Sequence, residues 1–368
     1  MKNVISYVEK YGDMTFEEKS IGEIDYAILS ILSYINYDSI LYSNETKVKL
    51  KDALTSFFEK YTKKELSTHG LGLKDAYKIA ETILDTNRYR DLKLYNYVYE
   101  TNDNLQFSAM FIDINSRTVF ISIEGTDDEV AAWKEDFEMA YSHFIPAQRK
   151  CIHYLNQKIT LLKEKKYIIG GHSKGGNLAL MGAMYLNPLK QNKIKDIYSF
   201  DGPGLNDRDF RSFRYMSLKK KYHLYLSNYS LVGLLLNRPD DAKIVSSYHK
   251  GLLAHSLYNW SVTDDKFYCV NNLSSFSRAF DKAFRKWLDK YDLKTKRLLV
   301  EDVFDIFNRC NITTLYKIHA KDLKEIKTIL RETSNLSDDT KAILMDLIKT
   351  LVIAIKDDTF PMFKSKED

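Results

Sequence analysis

The sequence predicts an α/β fold, a mostly parallel central sheet with helices on both faces, joined to a helical N-terminal layer and a helical C-terminal appendage. Three observations lead there. Strand-like and helical patterns alternate after Gly125, the mark of a sheet covered on both sides. Gly171-His172-Ser173-Lys174-Gly175 stands between the apolar run Tyr167-Ile168-Ile169-Gly170 and a small-residue helix pattern that opens with Gly176-Asn177-Leu178-Ala179. From about residue 272 onward the strand patterns stop and helical ones remain.

At 368 residues and 44% hydrophobic content, the chain is long enough to bury a full core. Helical spacing of apolar residues runs from Ile24 to Ile35 and again over 44–63 and 72–86. Three strand-like runs follow, 92–100, 105–113 and 117–124, separated by Asn-rich turns and expected to form an antiparallel meander. Helices are expected over 128–140 and 147–164, a strand over 167–170, the helix 174–187, and strands over 194–200, 222–227 and 242–247. Helical patterns at 272–290, 292–309, 320–333 and 336–355 complete the chain. This reading divides it into a helical layer over 1–90, an α/β core over 91–271 and a helical appendage over 272–368.

Composition excludes several classes. The 55 basic and 50 acidic side chains make a mixed surface, unlike a nucleic-acid footprint. The three cysteines, Cys151, Cys269 and Cys310, are widely spaced and form no metal-ligand pattern, so neither a metal nor a cofactor is expected and a reduced, cytoplasmic setting fits. Charge interrupts the N-terminus before any signal-like apolar run forms. The most apolar segment, 342–355, is broken by Asp346 and Lys349, so no membrane span is expected. Its apolar face suits core packing by default, with a lid, a partner site or transient membrane-surface contact as the other uses.

The glycine-flanked serine reads as a nucleophile elbow. Glycines two residues before and after Ser173 let the backbone turn sharply, and the helix that follows aims its N-terminus, with the N–H of Lys174, at a developing oxyanion. A serine hydroxyl needs a histidine to take its proton and an acid to hold that histidine. In the chain order serine, acid, histidine, the available histidines are His223, His249, His255 and His319. His223 falls inside a strand and His319 among the terminal helices. His249 and His255 lie in the loop after the last strand-like run, and His255 is favoured, with Trp260 near enough to shield it. For the acid, Asp201 follows a strand in the turn Asp201-Gly202-Pro203-Gly204. An Asx-turn would also place an Asp there, and Asp240 and Asp241 compete for the role. The Gly125-Thr126 turn ends an earlier strand, so the N–H of Thr126 is the second expected oxyanion donor; a helix cap would use the same residues. Arg208, Arg211 and Arg214 recur at three-residue spacing. On one helix they would form a basic face suited to an anionic head group or phosphate, although a solvated face has the same pattern.

These residues carry a resemblance. Ile123-Glu124-Gly125-Thr126-Asp127 with Trp133-Lys134-Glu135-Asp136 is similar to the oxyanion loop and Trp-x-x-Asp segment of class-three lipases, and the elbow looks like theirs. The chain as a whole resembles the Mbeg-like bacterial family of lipase-like α/β hydrolases, a domain of unknown function. The matching pieces run from Tyr7-Val8-Glu9-Lys10-Tyr11-Gly12-Asp13 to Ser230-Leu231-Val232-Gly233 and His255 with Trp260, nearly the full length. The resemblance implies an α/β-hydrolase fold and an acyl-ester hydrolase with Ser173 as nucleophile and His255 as base; it does not give a substrate, and the expected partner is a small-molecule ester or lipid. A departure lies at Tyr229-Ser230-Leu231-Val232, where class-three lipases carry Asp-Pro-Val; the position of Asp201 matches that of the acid in pancreatic-type lipases. A non-catalytic binding or scaffold protein on the same fold is the alternative expectation.

Overall fold

The computed structural model describes residues 2–310 apart from 42–45, 67–70, 103–104, 127–129 and 162–163, together with 336, 338–342 and 345–346. His319 and the helix expected over 320–333 lie outside the described residues, as does most of 336–355.

The chain opens with helices α1 (Val4–Tyr11) and α2 (Glu23–Ile31), the latter running into a 3-10 turn at Leu32–Tyr34. Strand β1 (Val48–Lys49) and helices α3 (Leu50–Lys60), α4 (Lys63–Leu66) and α5 (Leu71–Ile83) follow. The helix expected over 44–63 is therefore shorter at its start. Val48 and Lys49 pair with Leu94 and Lys93 at the sheet edge, and that tertiary pairing overrides helical spacing. The meander is β2 (Lys93–Asn102), β3 (Leu105–Asp113) and β4 (Thr118–Ile123), all antiparallel.

From there strand and helix alternate: α6 (Val130–Glu138), α7 (Pro146–Lys158), β5 (Lys166–His172), α8 (Lys174–Met184), α9 (Pro188–Gln191), β6 (Ile194–Phe200), α10 (Asp207–Phe210), α11 (Phe213–Leu218), β7 (Tyr222–Ser227) and β8 (Lys243–Val245). Three two-residue strands come next, β9 (Val262–Thr263), β10 (Lys266–Phe267) and β11 (Cys269–Val270), then α12 (Ser275–Lys290) and α13 (Leu293–Arg309). Among the described residues the main sheet has nine strands in the order β1-β2-β3-β4-β5-β6-β7-β8-β11. Its centre, β4 to β8, is parallel, and antiparallel strands flank it on both sides.

Period-two alternation sends successive side chains to opposite faces. On β4, Val119, Ile121 and Ile123 join the apolar cluster beneath α7 and α8, whereas Phe120 joins the cluster beneath the N-terminal helices. Ser122, which also faces those helices, hydrogen-bonds the Leu29 carbonyl of α2 at 2.7 Å. A buried ion pair fixes this N-terminal layer. Both Asp25 oxygens accept from Arg88, each at 2.7 Å, and also from the Tyr7 and Tyr89 hydroxyls. The loop between β8 and β11 is fastened to the same layer: Val262 N–H donates to the Lys2 carbonyl, Asn3 Nδ2 to Tyr258 O, and Phe267 N–H to Glu23 Oε1. No helix among the described residues is long and apolar enough to cross a membrane.

Candidate active site

The parallel register aligns the carboxyl ends of β4, β5 and β6, where open α/β sheets place their ligands. Ser173 occupies the single residue between β5 and α8, at φ 56° and ψ −135°. A side chain there is strained, so the turn needs its neighbours small. A Cβ on Gly171 would lie 2.3 Å from the Gly175 carbonyl carbon, and one on Gly175 would lie 2.2 Å from the Ile123 carbonyl oxygen. Both glycines are thus demanded by close packing of β5, α8 and the end of β4. Ser173 is 4% exposed.

Asp201 follows β6, again in the left-handed region at φ 53°, and is fully buried. Its Oδ1 accepts the Ser227 N–H at 3.2 Å, and its Oδ2 accepts Nδ1–H of His255 at 2.6 Å. His255 ends a 3-10 turn, Gly251–His255. Trp260 anchors that turn: its indole N–H donates to the Ala254 carbonyl at 2.9 Å while its ring packs against Phe200 and Phe267. Among the described hydrogen bonds none joins Ser173 Oγ to His255.

Sequence reasoning passed over His172 and Tyr34. Nε2 of His172 lies 2.8 Å from the His255 carbonyl, which can only accept, so that nitrogen carries the proton. Nδ1 is then the acceptor for the Tyr34 hydroxyl at 3.0 Å. Burial holds His172 well below its ordinary pKa, and the neighbouring His255 charge acts in the same direction. The neutral ring lies 4.4 Å from that of His255, centroid to centroid. His172 was visible as the variable position of the elbow, but nothing local connects Tyr34 to it.

Behind the elbow lies a polar seam. The Lys174 ammonium is buried and donates to Glu135 Oε2 at 2.9 Å; Glu135 Oε1 in turn accepts the Ala147 N–H at the start of α7. Gly125 touches the elbow so closely that a Cβ there would lie 2.1 Å from the Tyr34 oxygen and 3.0 Å from Ser173 Cβ. The Thr126 hydroxyl donates to Asp136 Oδ2. Burial pushes the Asp136 carboxyl up to about 6, opposed by the Lys174 charge, and its Oδ1 is buried with no hydrogen-bond partner among the described residues. Asp127 and the Trp133 side chain, quoted for the lipase resemblance, lie outside the described residues.

The rival residues sit elsewhere. His223 hydrogen-bonds Asp196 at 3.0 Å, His249 is exposed, and Asp240 and Asp241 are exposed. Ser230 caps its own turn by accepting the Gly233 N–H at 3.1 Å. Arg208, Arg211 and Arg214 do not share one helix face, because Ser212 caps a new helix between them.

Fold and site together define an α/β protein with a serine elbow beside a histidine bonded to a buried aspartate. The chain belongs to the Mbeg1-like family, whose model matches residues 83–305. That match is narrower than the nearly full-length resemblance expected and leaves out the N-terminal layer that supplies Tyr34. No curated protein matches the chain. Among solved structures it is similar to the crystal structure of M37 lipase at 17% identity and a TM-score of 0.37, over 59% of this chain and 71% of that one.

Proposed function

We propose that the protein is a serine hydrolase of esterase or lipase type on an α/β-hydrolase fold, with Ser173 as nucleophile, His255 as base and Asp201 as acid. The observation that carries this reading is the 2.6 Å bond from His255 Nδ1 to the fully buried Asp201 carboxylate, one strand over from the Ser173 elbow. With Nδ1–H committed to Asp201, Nε2 of the neutral ring is the acceptor for a serine proton. Attack of Ser173 Oγ on an ester carbonyl sends the serine proton to that nitrogen and negative charge to the carbonyl oxygen. The N–H groups of Lys174 and Thr126 receive this oxyanion; Lys174 begins α8, and the Thr126 N–H has no acceptor among the described residues. Collapse expels the alcohol, which takes the proton from His255, and leaves an acyl-serine that water cleaves by the same route. This sequence of steps needs no cofactor.

The substrate is a small-molecule carboxylic ester or lipid. On this reading residues 1–90 act as cover, 91–271 as catalytic core and 272–368 as an appendage that opens with α12 and α13. A cytoplasmic setting agrees with Cys151, Cys269 and Cys310 forming no disulfide among the described residues.

One observation favours a second reading, a non-catalytic scaffold: Ser173 is nearly buried and makes no described hydrogen bond to His255. Labelling with a fluorophosphonate separates the two. Catalysis requires labelling of the wild type that is lost in Ser173→Ala and His255→Ala and slowed by up to about 10⁴-fold in Asp201→Asn, which presents the wrong tautomer. A folded wild type that does not label makes the protein a scaffold.

A further inference from the structure

A second concavity lies apart from the candidate catalytic groups. The segment that leaves Asp201, the loop after α6 and the helices α12 and α13 enclose a cleft of about 640 Å³, and none of Ser173, Asp201 or His255 lines it. Arg208, Arg211 and Lys296 all face this cleft. None of the three forms an ion pair among the described residues. Two other arginines nearby are already engaged. Arg285 is held by Asp281 at 2.9 Å, and Arg214 turns away to lie over the Tyr185 ring and donate to the Met184 carbonyl.

The acidic groups in the cleft are Asp207 and Asp289, so the cations outnumber them; Asp207 also accepts from Asn237 Nδ2 at 2.8 Å. Lys296 is half-buried, and burial lowers its pKa even with Asp207, Asp289 and Asp292 acting in the opposite direction. An anion placed beside this ammonium would offset the burial that disfavours its charge. Two guanidinium forks and one ammonium offer a tetrahedral oxyanion more donors than a carboxylate can use. Leu236, Leu288 and Leu293 form the apolar part of the wall, beside Tyr141, Ser142, His143, Asn206 and Asn237, and Leu293 is 60% exposed.

We propose that this cleft is a binding site for an organic phosphate, with the phosphate on Arg208, Arg211 and Lys296 and an apolar portion against Leu236, Leu288 and Leu293. The proposal stands on this cluster alone and is independent of the hydrolase reading. A free phosphorylated metabolite and a phospholipid head group share this chemistry.

The test is calorimetric titration of the full chain at constant ionic strength with inorganic phosphate and with phenyl phosphate. Both should saturate, phenyl phosphate more tightly. The double variant Arg208→Gln/Arg211→Gln should weaken both at least about tenfold, as should Lys296→Met, which keeps an apolar stem. Flotation with phosphatidylcholine vesicles with and without phosphatidic acid then distinguishes the sources. Phosphate-displaceable binding to the acidic vesicles assigns a head group, whereas saturable phosphate binding without vesicle binding assigns a free molecule. Unsaturable titrations, or variants that titrate like the wild type, would overturn the proposal.

Discussion

The Nε2–H of His172 donates to the carbonyl oxygen of His255 over 2.8 Å, so the residue that precedes the elbow serine also holds the backbone of the histidine opposite it. Tyr34 closes the chain by donating to the other nitrogen of the same ring. An N-terminal layer outside the family match thereby reaches the site through one neutral imidazole.

Replacing His172 with Phe keeps the ring's bulk but leaves the His255 carbonyl without its donor. Fluorophosphonate labelling should slow by about ten- to a hundredfold, the scale expected when a reacting group is misplaced, with a stability loss of about 1–3 kcal/mol. Tyr34→Phe should show the same direction with a smaller effect. Unchanged labelling rates in both variants would reduce His172 to a packing residue.

Ser173 adopts a backbone conformation that glycine takes up freely and other residues only under strain. Ser173→Gly should therefore be more stable than Ser173→Ala by about 1 kcal/mol, the reverse of the usual order of these two residues. Urea midpoints of the two variants check this; an Ala variant at or above the Gly variant would mean the elbow is unstrained.

Asp136 gives a pH dependence with a definite sign. Its carboxyl rises from an ordinary 3.8 to about 6 on folding, through burial first. Between those values the folded chain binds more proton than the unfolded one, so stability falls as pH rises and the loss is complete above the folded pKa. The full loss is about 2–3 kcal/mol. Asp136→Asn keeps an acceptor for Thr126 and should match the wild type near pH 4 while exceeding it near pH 8, as measured by denaturant midpoints. Parallel pH profiles for the two proteins would show that Asp136 is ionised at no cost.

Asp25 should be among the most damaging sites outside the elbow. Asp25→Ala strands the buried Arg88 charge and should cost about 3–5 kcal/mol, whereas Tyr7→Phe removes one hydroxyl donor and should cost about 1 kcal/mol. Thermal melts that rank the two the other way would mean Arg88 finds new partners.

Local features were the readable ones. The elbow is five consecutive residues whose glycines answer to contacts within the turn and the adjoining strand end, and Asp201 stands directly after a strand that reads as one. The parallel core strands are continuous apolar runs, and the meander is separated by Asn-rich turns. What escaped was set by distant partners. Val48–Lys49 is a strand because Leu94 and Lys93 lie beside it, and β9 to β11 are two-residue pieces too short to carry a period. Asp25 with Arg88, and Tyr34 with His172, are separated by 63 and 138 residues, and no spacing rule links them. The three arginines were grouped by an assumed single helix that Ser212 interrupts.

The ties between the N-terminal layer and the loop after β8 carry a kinetic consequence. Asn3 with Tyr258, Lys19 with Asp265 and Glu23 with Phe267 are 255, 246 and 244 residues apart. Contacts of such separation form late, because closing so long a loop costs entropy before any contact repays it. The loop that presents His255 therefore settles only after the sheet and the first helices have docked. During synthesis the segment that carries Ser173 emerges well before the loop that carries His255 can be fastened to the N-terminal layer.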